Sequence, residues 1–515
     1  MKVLPFFAVI GSFHVASSQI ITGNYTGPLR PQVHFSPPQG FMNDPNGCFL
    51  DTNGTWHLYY QYNPSDVVAG NQHWGHATSQ DLYHWENQPI AIFPPDNNSQ
   101  VFTGSAVIDV NNTSGFFPDQ DNGVVAIYTL NSPEKEVQAI SFSRDGGFTF
   151  TAYEGNPVID STTTNFRDPK VIRFQDNWVM VVSFAADLVI AIYTSFDLKT
   201  WTHASNFTHP DIGGIFECPN LVELPIDGSD DSKFILVIST SPGPLHGTVM
   251  KYLVGDFNGT HFVPDQDGDV ARVTEFTKDS YAGQFFYGLP ADEAVFIAWA
   301  SNGDYSNDLP TASEGWRSSH TLPRRTSLKN TPSQGWDLVS FPVDLSPVLG
   351  RKLVNMETII NNSLSVDYSD VQSNAIYFEA NVTGLPDAAS IPSTAFLSFT
   401  FSSLTSGESL VGSYSFGPDH LFVLDRTNIR GFSNSAFANP SVFNVSQPLD
   451  EDGTLSISAL IDRSIIEVFL DRGASSGTTL FYPTEPLSLF NISTVDIPPG
   501  GNVVIDVFAV ESVWG

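Results

Sequence analysis

Trp56-His57-Leu58-Tyr59-Tyr60-Gln61-Tyr62, followed by the turn Ser79-Gln80-Asp81-Leu82 and the closing Trp85, is the unit on which the fold turns. A short apolar and aromatic run bounded by turn residues reads as a buried strand. Runs of the same kind begin at Val124 (VVAIYTL), Trp178 (WVMVVSFA), Phe234 (FILVIST) and Ala294 (AVFIAWAS), at intervals of about 60 residues. The turn also recurs with a closing aromatic, at Ser143-Arg144-Asp145-Gly146-Gly147-Phe148, at Ser195-Phe196-Asp197-Leu198 to Trp201, and at Asp256-Phe257-Asn258-Gly259 to Phe262. Each unit has room for four short strands. Five such units predict a five-bladed β-propeller; a long β-sandwich would supply strands but would not require the recurrence.

Beyond this region the strands continue (AIYFEANV, TAFLSFTF, LFVLD, SIIEVFL, NVVIDVFAV) without the repeat, which predicts an antiparallel β-sandwich. The chain is therefore all-β. The propeller is expected over 19–345, a linker over 346–357 and the sandwich over 358–515. With 515 residues, two domains are the natural division. Residues 1–18 have the form of a signal peptide: Lys2, the apolar run Val3 to Val15, then Ala16-Ser17-Ser18. That run is too short to span a bilayer, and no other stretch of about 20 apolar residues exists, so a secreted protein away from the membrane is expected. Sequons begin at Asn24, Asn53, Asn97, Asn111, Asn112, Asn206, Asn258, Asn361, Asn381, Asn444 and Asn491, a density that points to N-linked glycans.

The net charge of −33 disfavours nucleic acid, because no basic surplus exists to displace its counterions; a neutral substrate fits better. Cys48 and Cys218 are the only cysteines, so no disulfide framework holds the fold. Buried free thiols are the first reading and a single bridge the second. His73 and His76 would face opposite sides of a strand. Without a Cys/His cluster, a calcium loop or a phosphate loop, neither metal nor cofactor is expected.

Three carboxylates precede blade strands by a similar distance, about 10 to 17 residues. They are Asp44 in Phe41-Met42-Asn43-Asp44-Pro45-Asn46-Gly47, Asp168 in Phe166-Arg167-Asp168-Pro169-Lys170, and Glu217 in Phe216-Glu217-Cys218-Pro219-Asn220. A rigid Asp-Pro-Asn-Gly turn commonly spends its Asp on local hydrogen bonds. Three such acids alter that reading. On equivalent blades they would occupy the innermost strands of the first, third and fourth units and meet at one mouth, the following Pro ending the ladder and exposing each side chain. Converging carboxylates repel, so at least one pKa should rise, and a paired acid and base is what glycosidic cleavage requires.

These motifs, in this order, resemble glycoside hydrolase family 32, the invertases, inulinases, levanases and related fructosyltransferases. The resemblance extends to Gln61-Tyr62-Asn63-Pro64, Trp74-Gly75-His76, Phe102-Thr103-Gly104-Ser105, Lys278-Asp279-Ser280-Tyr281-Ala282, Trp316-Arg317 and Asp462-Arg463-Ser464-Ile465-Ile466-Glu467-Val468-Phe469, nearly the whole mature chain. It implies a propeller followed by a sandwich. It also implies that Asp44 is the nucleophile, that Glu217 is the acid/base, and that Asp168 beside Arg167 holds the fructosyl hydroxyls. Asn43, Gln61, Trp74, Phe102, Thr103, Tyr281 and Trp316 would line the pocket, the two tryptophans covering the sugar face. A retaining mechanism would place the two reacting carboxyl groups roughly 5–5.5 Å apart. Thr103 stands where the family more often has Ser, Phe41 where it has Trp, and Ser280 where it has another aromatic; the last change affects the leaving-group side. The implied activity is cleavage of the β-fructofuranosyl bond of sucrose and short fructans. Fructosyl transfer to sugar, an inverting arabinofuranosidase and a non-catalytic sugar-binding protein are the alternatives. A homodimer stays open, with the sandwich as its surface or as a rim of the partner's site.

Overall fold

The computed structural model describes residues 21–265, 270–331, 335–450 and 452–514. The signal peptide expected at 1–18 lies outside them.

Five antiparallel sheets fill the first two-thirds of the chain. The first strands of these sheets are Gly40–Leu50, Gln100–Ile108, Phe166–Phe174, Ile215–Pro225 and Tyr281–Phe285. Each lies against the next, and the fifth lies against the first, so they line an axial channel. The runs that marked the repeat are the second strands: Trp56–Asn63, Val124–Asn131, Asn177–Phe184, Ser232–Ser241 and Val295–Ala300. Five apolar clusters fill the gaps between neighbouring sheets. One joins Trp74 and Tyr59 to Ala106 and Val124, another Val107 to Val182, and the ring closes where Leu58 and Tyr60 meet Ile297. The short strand Trp316–Arg317 seals the ring by pairing in parallel with Gly40 and Phe41.

The recurring Asp turns have a physical role. Ser79 and Asp81 accept the N–H groups of Leu82, Tyr83 and His84, and Ser195 with Asp197 does the same for Leu198, Lys199 and Thr200. Each turn thereby satisfies its backbone between the third and fourth strands.

The C-terminal domain is two six-stranded sheets packed over one core that includes Phe378, Phe399, Phe401 and Phe490. The segment expected as a linker, 346–357, is mostly strand: Leu349–Thr358 pairs with Asn502–Val510 at the edge of one sandwich sheet. Its residues are half-buried or exposed and its register shifts three times, which removes the alternation that marks a strand in sequence.

The two domains meet through buried charge. Asp462 accepts the N–H groups of Gln32, Val33 and His34 at 2.7–3.1 Å and the His34 ring at 2.9 Å. Glu467 accepts the Leu322 N–H at 2.7 Å and the Arg324 guanidinium at 2.8 and 3.0 Å, while Arg324 also reaches Glu275 at 2.8 Å. The sandwich motif at 462–469 is thus a fastening between domains.

Candidate active site

One irregularity repeats in all five inner strands. Two residues there oppose one on the second strand, a β-bulge. The bulged pairs are Asn43-Asp44 opposite Gln61, Phe102-Thr103 opposite Thr129, Asp168-Pro169 opposite Val182, Cys218-Pro219 opposite Ile238, and Ala282-Gly283 opposite Ala298. Glu217 and Tyr281 immediately precede the last two. The prolines therefore do not end the ladder, as the sequence implied; the strands continue through them. A bulge re-aims its side chains without terminating the strand, and five bulges at one level turn five sets of side chains into the same mouth. The backbone is strained there: Asp168, Cys218 and Ala282 have φ of +67°, +44° and +52°.

The side chains form one connected group. Thr103 donates to Asp44 Oδ2 at 2.6 Å and Asn43 donates to Oδ1 at 3.0 Å. The Cys218 thiol lies 3.5 Å from Asp44 Oδ2 and 3.6 Å from Asp168 Oδ2. Asp168 also accepts the Cys218 N–H at 3.0 Å, and its own N–H donates to Thr129 Oγ1 at 3.0 Å. Arg167 donates to Glu217 Oε1 at 3.0 and 3.1 Å, and the Tyr281 hydroxyl donates to Oε2 at 2.6 Å. The sequence pattern thus brings Asn43, Asp44, Thr103, Arg167, Asp168, Glu217 and Tyr281 together.

Burial raises the Asp44 pKa. Hydrogen bonds from Thr103 and Asn43 oppose this, and the Glu217 charge adds to the rise. Asp168 is pushed well up by burial; Arg167 resists, while Glu217 and Asp44 reinforce the shift. Burial, then the neighbouring Glu217, pushes Tyr281 well above the ordinary phenol range, so its hydroxyl stays a donor.

The tryptophans differ from expectation. Trp74 has no exposed surface; it packs among Tyr59, Tyr128 and Ala106 and donates to the Phe102 carbonyl at 3.0 Å. It supports the bulge that carries Thr103 and does not cover a sugar. Trp316 is 3% exposed, held by Glu314 at 3.0 Å and by the Arg30 guanidinium over its ring. Gln61 is likewise buried, donating to the Val101 carbonyl at 3.0 Å, whereas Phe102 is half-exposed. Cys48 and Cys218 are both free and buried. Phe41, in the position where Trp is common, is buried against Trp299.

Sequence reasoning missed Glu136. It is buried, accepts the Phe166 N–H at 2.7 Å, and shares Arg167 with Glu217. It begins the third strand of the second sheet, where no motif marks it. Gln72, which donates to Asn43 Oδ1 at 3.0 Å, was also unmarked. Among the described residues no group of three or more His, Cys, Asp or Glu side chains could hold a metal ion. No described helix is long and apolar enough to cross a membrane.

Residues 34–342 match the glycosyl hydrolases family 32 N-terminal domain, and 350–503 match the family 32 C-terminal domain. The chain belongs to glycoside hydrolase family 32. It is 38% identical to invertase 2 of Saccharomyces cerevisiae over 522 residues, 96% of each chain. It is 37% identical to an extracellular exo-inulinase of Meyerozyma guilliermondii, covering 90% of this chain and 92% of that one. The fructofuranosidase of Schwanniomyces occidentalis complexed with fructose superposes with a TM-score of 0.87 at 34% identity, over 95% of this chain and all of that one. As a family 32 member the chain is a glycoside hydrolase, built as a β-propeller followed by a β-sandwich.

Proposed function

We propose that this chain is a retaining β-fructofuranosidase that removes the terminal fructosyl unit of sucrose and short fructans. The observation that carries the reading is the placement of Asp44 and Glu217 in one electrostatic neighbourhood, tied through Cys218, Asp168 and Arg167. The names of the relatives, invertase and exo-inulinase, support the substrate class.

Asp44 is the nucleophile. Its Oδ1 and Oδ2 are oriented by Asn43 and Thr103, and it attacks C2 of the fructosyl unit. Glu217, its carboxyl fixed by Tyr281, gives a proton to the departing glycosidic oxygen. The C2–O bond to the leaving sugar breaks as the bond to Asp44 forms. Glu217 then takes a proton from water, whose oxygen attacks C2 and releases fructose and the Asp44 carboxylate. Asp168 and Arg167 hold the sugar hydroxyls. A sugar hydroxyl in place of water gives transfer, so hydrolysis and transfer share one intermediate.

The name of the Meyerozyma relative and the signal-like start support secretion. The exposure of the sequon residues Asn24, Asn53, Asn97, Asn206, Asn258, Asn361 and Asn444 supports glycosylation.

Reducing-sugar release from sucrose by wild type, Asp44→Asn and Glu217→Gln tests the reading. Loss in both variants is expected, and equal release from all three would falsify it. Addition of methanol should divert part of the fructose into methyl β-fructofuranoside, the anomer that retention gives.

A further inference from the structure

We propose that Phe93, braced by the buried His73, forms an accessory sugar platform on the rim of the mouth, taking the outer units of a longer fructan donor. The proposal rests on the β-fructofuranosidase reading above. A single row of residues crosses the first sheet at the level of the nucleophile. The Asn43-Asp44 bulge faces Gln61, Gln61 faces Trp74, and Trp74 faces Ile92. Phe93 follows Ile92 directly, at the head of the loop that leads to the inner strand carrying Phe102 and Thr103. Three strand spacings separate Ile92 from the Asp44 backbone by about 14 Å, so Phe93 stands well outside the reach of the fructosyl unit bound at the nucleophile.

Phe93 is 61% exposed, although the rest of the row is buried or half-buried. Its ring meets His73 edge to face at 5.5 Å, and His73 is itself held by a 2.7 Å bond to the Asn71 carbonyl. Pro94 and Pro95 stiffen the loop just beyond. Gln72, next to His73 in the chain, ties this edge to Asn43 beside the nucleophile. Its Nε2 donates to Asn43, its N–H bonds Gln100 Oε1 at 3.3 Å, and its own Oε1 is buried without a partner. An exposed, braced aromatic face suits a sugar ring, which presents an apolar C–H face. The expected occupant is the fructan chain leaving the pocket, because the row is continuous with the reaction centre.

The test uses full-length Phe93→Ala and Phe93→Trp. Fructose release is followed from sucrose, the trisaccharide kestose and the tetrasaccharide nystose. For Phe93→Ala, kcat/KM on sucrose should be unchanged, whereas that on nystose should fall about three- to tenfold through KM. Phe93→Trp should keep the nystose value. In an Asp44→Asn background, where nystose survives, its Kd should weaken by the same factor on Phe93→Ala. The same comparison on an Asn97→Gln background keeps a glycan four residues away out of the result. Equal factors for all donors, an unchanged nystose constant, or a wild type that cleaves sucrose but not nystose overturns the platform. A wild type that releases no fructose even from sucrose overturns the reading beneath it.

Discussion

The Cys218 thiol lies 3.5 Å from Oδ2 of Asp44, beneath the proposed nucleophile, and a comparable 3.6 Å from Asp168. A sulfhydryl is a weak donor that adds no charge. Burial, then the charges of Asp168, Asp44 and Glu217, push its pKa well up, so it stays neutral. Both cysteines should therefore resist a thiol reagent in the native enzyme. Two thiols should react after denaturation, and rapid native labelling of Cys218 would contradict the geometry.

The acid limb of kcat/KM should lie above the ordinary Asp range. Asp44 titrates upward because burial disfavours its charged form. Thr103 donates to that charged form and so holds the pKa down. Removing the hydroxyl with Thr103→Val should move the limb to still higher pH, while Thr103→Ser should leave it in place. A pH–rate profile on sucrose decides.

Asp44→Asn should abolish turnover and leave stability equal or higher. Its half-buried, desolvated carboxylate is unfavourable to the fold, and an amide retains acceptor capacity toward Thr103 without the charge. Proton transfer by Glu217 accounts for about 10²–10⁴ of the rate, so Glu217→Gln should lose at least that on sucrose. Thermal denaturation beside activity measurements separates the two effects.

The fastening between domains should be strong and specific. Arg324 and Glu467 are both buried, and removing Glu467 leaves Arg324 with Glu275 alone as its counter-charge. Glu467→Gln should lower stability by about 1–3 kcal/mol, read in a denaturant titration.

His34 should make that fastening sensitive to pH. Burial works against its charge, but Asp462 and Glu467 outweigh burial and raise its pKa from 6.5 to about 9. The second contact is electrostatic: Nε2 is 3.3 Å from Glu467 without hydrogen-bond alignment. A raised histidine pKa contributes stability that is fully present below about 6.5 and is lost as pH climbs through about 9. The melting temperature should fall across that window, by the equivalent of roughly 3 kcal/mol, and His34→Gln should flatten the slope.

Much of this was legible in the chain. Aromatic second strands and Asp turns carry the repeat because each blade must bury its flanks against the next and close its outer hairpin. The acids were visible through their prolines. What those prolines do was not: a bulge is a register relation between two strands, and Val182 or Ile238 gives no local sign that it faces two residues. Trp74 was misread for a related reason, since ring size marks pocket walls and core alike. Leu349–Thr358 escaped because an exposed, shifting edge strand lacks alternation. Glu136 escaped because its partner, Arg167, is distant in sequence.

Asp462, near the end of the chain, holds the backbone of residues 32–34, and Arg463 and Ser464 bind the carbonyls of Gly27 and Leu29. The run that leads into the nucleophile-bearing strand is therefore anchored by a residue 430 positions further along the chain. A chain cut before position 462 contains all three acids, yet lacks the clasp that seats the run ahead of the first of them.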